Sequence, residues 1–134
     1  MWVFSETGFV SAVVDPKDSN VMVVRSRDKK SIQPLADFAG TEIIELPNRD
    51  YEYRVFVERG TFSDWVLRSI STMEYGNYKS RMYTTRGDEF THSLSDVWSV
   101  MLNVSDKRKK ANKQPKGRRN QSYFPEDWYG VEHI

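Results

Sequence analysis

The chain has no cysteine, which excludes disulfides, thiolate metal sites and cysteine nucleophiles and points to a reducing, cytoplasmic setting. Histidine is nearly missing too: His92 and His133 are the only two. Glu89, His92 and Asp96 do fall at i, i+3 and i+7, the Glu-x-x-His pattern of carboxylate-bridged metal sites in helical bundles. Such sites need matching ligands from other helices, so the pattern reads as a solvated polar face and no metal is expected. Also missing are the P-loop, the dinucleotide glycine fingerprint, the nucleophile elbow and the zinc-protease helix. With them go the motif-bearing enzyme classes, and no cofactor is expected. No window approaches the roughly 18 uncharged apolar residues of a membrane span. The opening Met1-Trp2-Val3-Phe4-Ser5-Glu6 has neither a basic region nor a long apolar run. The expectation is a soluble chain, not secreted and without a membrane partner.

What is present suffices for one core. At 134 residues, 38% of them hydrophobic, the chain is expected to form a single α+β domain over residues 1–104. A linker over 105–122 and a short aromatic segment over 123–134 would follow it. The net charge of +1 is unevenly spread. Residues 1–104 carry 12 Lys or Arg against 15 Asp or Glu, residues 105–122 carry 8 against 1, and residues 123–134 carry none against 3.

Short β-type runs at Met1 to Phe4 and Phe9 to Val14 flank Ser5-Glu6-Thr7-Gly8, a turn cluster of hairpin length. A second turn over Asp15 to Asn20 leads into a strand from Val21 to Arg27. Asp28 offers an N-cap for a short helix through Ile32, Leu35 and Phe38 that stops at Gly40, with Pro34 acceptable only in its first turn. Strands follow at Thr41 to Leu46 and Tyr51 to Glu58 around Pro47-Asn48-Arg49-Asp50. Three helical segments then fill Thr61 to Val104. The first places Phe62, Trp65, Val66, Ile70 and Met73 on one face, with Thr61 and Asp64 as a capping box. The last aligns Phe90, Leu94, Val97, Trp98 and Met101 and is entered through Gly87 and Asp88. The order βββαββααα predicts an antiparallel or mixed five-strand sheet with helices mainly on one face, in the manner of a ferredoxin-like elaboration. Trp65 and Trp98 are expected where the two long helices meet that sheet.

Several spaced motifs go together. Met1-Trp2-Val3-Phe4 with Gly8-Phe9-Val10-Ser11, Arg25-Ser26-Arg27, Asp50-Tyr51-Glu52-Tyr53-Arg54-Val55, Tyr75-Gly76-Asn77-Tyr78-Lys79 and Val97-Trp98-Ser99-Val100-Met101 resemble a family of short proteins from actinobacteria and their phages. The resemblance covers residues 1–104, with Gly76 standing where an acid is expected. It implies an actinobacterial or phage origin, with a host cytoplasm as the setting if the protein is phage-encoded, and it brings no catalytic residue with it.

Tyr75, Asn77, Tyr78 and Lys79 place two phenols, an amide and an amine within five residues. With the strand arginines Arg25, Arg27 and Arg54 they form a candidate ligand-binding set, in which the cations hold phosphates and a tyrosine stacks a base. The alternative is structural: Tyr75, Tyr78 and Met82 are helix-spaced core residues, and Lys79 and Arg81 snorkel past them.

The segment 105–122 is rich in charge and has no large apolar residue, the composition of a linker that cannot offset its ordering entropy by burial. Lys107, Arg108, Lys109, Lys110, Lys113, Lys116, Arg118 and Arg119 suit non-specific phosphate contact on nucleic acid; the alternative is a solubilising linker. Beyond it Phe124, Trp128 and Tyr129 are candidate anchors for docking in cis, on a protein partner or on a second copy in a homo-oligomer. The leading expectation is a small non-enzymatic binding or regulatory protein that engages a host macromolecule and contacts nucleic acid through its basic tail. The other is a small-ligand or nucleotide-handling enzyme built on Tyr75 to Lys79 and the strand arginines.

Overall fold

The computed structural model describes residues 1–105; beyond Ser105 the linker and aromatic segment lie outside them. The chain divides into two compact units, Met1–Glu74 and a second that begins at Tyr75, a division inside the stretch read from the sequence as one domain. The first unit contains β1 (Trp2–Ser5), β2 (Gly8–Asp15), β3 (Asp18–Ser26), α1 (Lys29–Ala39), β4 (Ile44–Glu45), β5 (Tyr53–Glu58) and α2 (Arg59–Ser71). The second contains α3 (Tyr78–Arg86) and α4 (Asp88–Ser105). The elements follow in the expected order. The α+β class also holds: the sheet runs β1-β2-β3-β5-β4 with every neighbouring pair antiparallel.

Local chemistry sets the turns. Glu6 and Thr7 form a two-residue hairpin loop closed by the Ser5–Gly8 pair, and Gly8 takes a φ of 132° that other residues rarely adopt. The second hairpin is tighter than predicted. Asp15 Oδ1 accepts from the Lys17 N–H and Asp18 Oδ1 from the Asn20 N–H, so the backbone turns within two residues and β3 starts three residues before Val21. Asp28 has the extended backbone of an N-cap, yet its carboxylate bonds to no helix N–H; it accepts instead from the Ser31 hydroxyl at 2.6 Å. Gly40 ends α1 in the left-handed region at φ 64°. Pro34 lies in the second turn of α1, not the first. The helix forgoes one N–H bond there, and burial of Ile32, Leu35 and Ala36 holds the turn regardless. β4 shrinks to two residues.

Pairing register puts Ala12, Val24 and Val55 in one row across the sheet, and Val14, Met22 and Val57 in another. Val10, Ala12, Met22, Val24, Val55 and Val57 pack with Ile32, Leu35 and Ala36 of α1 and Phe62 and Trp65 of α2. The two helices therefore cover the same face. Ile32, Leu35, Val24 and Val55 are fully buried, each contributing about 1.5–3 kcal/mol of transfer free energy. β5 runs straight into α2, which starts at Arg59 with Glu58 at its N-cap and no side-chain cap bond. The predicted Thr61–Asp64 capping box is thus not the start of this helix. Its apolar stripe is also narrower than the spacing suggests, because Phe62 and Trp65 are buried while Ile70 and Met73 are exposed.

In the second unit Asn77 caps α3, its Oδ1 accepting from the Ser80 N–H at 2.9 Å. Gly87 closes α3 at φ 84°, and its carbonyl accepts from both the N–H and the hydroxyl of Thr91 in α4. Leu94 and Thr91 are buried. Val97 and Met101 are exposed and Trp98 only partly buried, so the predicted α4 stripe is largely uncovered and Trp98 is not the buried anchor expected of it. Among the described residues no helix is long and apolar enough to cross a membrane.

Candidate functional site

The seven residues expected to form one ligand-binding set fall in the two units: Arg25, Arg27 and Arg54 in the first, Tyr75, Asn77, Tyr78 and Lys79 in the second. In the second unit the structural reading accounts for most of them. Asn77 spends its carbonyl oxygen on the helix cap. The Tyr75 and Tyr78 rings lie 5.9 Å apart at 42°. Burial, with Tyr75 adding to it, pushes the Tyr78 phenol far above its ordinary range, so it stays protonated and cannot act as a base. Lys79 is 1% exposed and does not snorkel. Its Nζ lies 3.4 Å from the Ser95 hydroxyl and 5.4 Å from the centre of the Trp98 ring, and burial lowers its pKa. This amine is directed between the two helices.

The arginines are arranged differently. Alternation along β5 sends Val55 and Val57 to the core and Arg54 and Phe56 to the outer face, the one turned away from α1 and α2. Register then draws one row across all five strands: Trp2 pairs with Ser11, Ser11 with Arg25, Arg25 with Arg54 and Arg54 with Ile44. Two arginines are thus direct cross-strand partners, a placement of like charges that ordinarily costs stability. Arg25 donates to Ser11 Oγ at 3.0 Å and stacks on the Tyr51 ring at 4.6 Å. Arg27 lies 4.5 Å from the same ring and is neutralised by Asp50, whose hydrogen bond raises its pKa further. Neither Arg25 nor Arg54 has a carboxylate partner among the described residues. The Nε atom of each is buried without a hydrogen-bond acceptor.

Apolar side chains frame this pair. Phe4 and Phe9 stack at 4.6 Å, and Trp2 meets Phe9 edge-on at 5.6 Å. Phe56, Ile44, Val13 and Trp2 are all exposed, Trp2 by 66%. Sequence reasoning named the arginines but missed Ser11, Tyr51, Trp2 and Phe56. The alternation of β5 could have found Phe56, whereas the row itself depends on the β3–β5 adjacency.

Elsewhere in the first unit a cleft of about 360 Å³ between the β1–β2 turn, α1 and α2 is lined by Phe38, Trp65 and Arg68 among others. It includes none of the predicted residues. His92 lies beside Asp88 on the exposed face of α4, and no group of His, Asp and Glu among the described residues is placed to hold a metal ion. The basic residues Lys107 to Arg119 and the aromatic anchors Phe124, Trp128 and Tyr129 lie outside the described residues. Compared with protein-family models, with curated proteins and with solved structures, the chain matches none.

Proposed function

We propose that this is a non-enzymatic binding protein that engages nucleic acid on the outer face of its sheet, with the basic segment 105–122 adding general phosphate contacts. The observation that carries the reading is the Arg25–Arg54 pair, which has no carboxylate partner among the described residues. Like charges placed directly opposite destabilise a sheet, and a buried N–H without an acceptor costs about 1–3 kcal/mol. A bound anion offsets the first by neutralising the paired charge. The fork of an arginine matches phosphate oxygens two at a time, which favours phosphate over a point contact. Exposed aromatic rings around the pair, and eight Lys or Arg against one acid in residues 105–122, favour a nucleic-acid source for that phosphate over an isolated ion.

A nucleotide-handling enzyme is less well supported, because among the described residues the phenol and the amine with shifted pKa values, Tyr78 and Lys79, lie in the second unit, the first partly and the second fully buried. If the protein is phage-encoded, one of the two origins the sequence resemblance implies, the nucleic acid is the host macromolecule and the setting the host cytoplasm. The test is a salt-dependent shift assay comparing the full-length protein with an Arg25→Gln/Arg54→Gln variant. Weaker binding and a flatter salt dependence in the variant are expected; equal affinity at every salt concentration overturns the reading.

A further inference from the structure

A phosphate-binding pair does not by itself distinguish a duplex from a single strand; the rings around it do. We infer that the outer face takes unpaired nucleotides, with phosphates at Arg25 and Arg54 and bases against Trp2 and Phe56, an inference that rests on the nucleic-acid reading above. Trp2 stands in the same cross-strand row as the two arginines, at the β1 end. Phe56 is 41% exposed and two residues along β5 from Arg54, on the same face. Neighbouring strands are about 4.8 Å apart, so Trp2 and Arg25 are separated by about 10 Å across the sheet and Arg25 and Arg54 by about 5 Å. A chain lying across the strands meets a ring and then the guanidinium pair.

A duplex has little use for this surface. Its base faces are stacked on one another and hidden, and its major groove admits a helix or a two-stranded ribbon, not the flat of a five-stranded sheet. An unpaired base offers a π-face to any exposed ring. Each such stack changes affinity by roughly 5- to 150-fold, whatever the base. The described outer face presents guanidinium groups and apolar rings, with Glu58 opposite Val21 at the far end of β5 as an acid. The binding is therefore general in sequence and confined to the end of the face that carries the arginines.

Fluorescence anisotropy with the full-length protein, a short oligothymidylate and a duplex of equal length provides the test. The single strand is expected to bind at least about tenfold more tightly than the duplex at equal salt. Trp2→Ala and Phe56→Ala should each lower affinity for the single strand by roughly 5- to 150-fold while leaving duplex affinity unchanged. Trp2→Phe should recover much of the loss, since a ring remains. Both sites are exposed, and circular dichroism checks that each variant folds. Equal binding of the two nucleic acids, or full affinity in both alanine variants, overturns the single-strand inference. If Arg25→Gln/Arg54→Gln still weakens both nucleic acids in that case, the phosphate reading stands; if the arginine variant changes neither, both fall together.

Discussion

Arg25 on β3 and Arg54 on β5 face each other directly across the sheet, each with its Nε buried and without an acceptor. A ligand-free protein carries the cost of that arrangement. Arg54→Gln, which keeps the length of the side chain and removes one charge, is therefore expected to leave the fold equally stable or to stabilise it by up to about 1 kcal/mol. The same substitution weakens nucleic-acid binding. Chemical denaturation checks the first effect, and a loss of more than about 1 kcal/mol would mean that Arg54 stabilises the sheet.

Ser31 is expected to be costly to lose. It is fully buried, accepts from the Phe9 N–H at 3.2 Å and donates to the Asp28 carboxylate at 2.6 Å. It fastens the first turn of α1 to β2 just where the β2–β3 pairing ends at Ser11. Ser31→Ala leaves a strand N–H without that acceptor, at a cost of about 1–3 kcal/mol. A shift of the denaturation midpoint with an unchanged slope is the expected signature; no shift would show that the backbone N–H finds another acceptor.

The order of the elements was legible because alternation and helical spacing are local signals: Val55 and Val57 against Arg54 and Phe56 in β5, Phe62 and Trp65 in α2. Boundaries were less legible. Carboxylates at Asp15 and Asp18 tightened a turn that composition had left long, and β5 ran on into α2 past the Thr61 signal. The candidate site was half visible. Arg25, Arg27 and Arg54 stood out as strand cations, but their juxtaposition depends on β5 pairing with β3 across an intervening helix and β4, a long-range choice that no local pattern encodes. Tyr75 to Lys79 drew attention by composition, and two of its polar groups have structural roles: a helix cap at Asn77 and a buried amine at Lys79.

Lys79 and Tyr78 together predict a pH profile for the second unit. Burial lowers the Lys79 pKa from its ordinary 10.5. Between the lowered value and 10.5 the unfolded chain holds a proton that the folded one has released, so stability rises with pH across that window. Tyr78 acts in the opposite sense. Its phenol, raised by burial and by Tyr75 from an ordinary 10.0, stays protonated in the fold after the unfolded chain has lost its proton, and stability falls as pH rises past that ordinary value. Denaturation followed by helical circular dichroism should therefore show a rise and then a fall. Lys79→Met is expected to abolish the rise and Tyr78→Phe the fall. A Lys79→Met profile that overlays the parent below pH 10 would count against the burial of that amine.

The two central tryptophans should differ in what they contribute. Trp65 is 5% exposed in the first core and packs 6.0 Å from Phe62; Trp65→Ala is expected to cost about 3–5 kcal/mol. Trp98 is only partly buried, and its ring faces the Lys79 ammonium, a contact of about 1–2 kcal/mol when partly desolvated. Trp98→Ala should therefore cost less than Trp65→Ala. Equal losses for the two variants would contradict the division between core and boundary.

The basic segment and the sheet arginines can be separated by salt. On single strands the logarithm of affinity falls with the logarithm of salt concentration by about 0.7 for each phosphate neutralised. Changing Lys107, Arg108, Lys109 and Lys110 together to glutamine removes up to about four such contacts; Arg108 must be included because a lone guanidinium inside the run can hold a phosphate by itself. Arg25→Gln/Arg54→Gln removes up to about two more. If both regions contact the same strand, the slope should flatten by the sum of the two effects in the sixfold variant. The base-stacking contribution of Trp2 and Phe56 carries no charge, so Trp2→Ala should weaken binding at every salt concentration without changing the slope. A tail variant with the parent's slope would remove the basic segment from the interface and leave the sheet face as its sole cationic contact. A Trp2→Ala variant with a flattened slope would mean that the tryptophan holds the arginines in place, not a base.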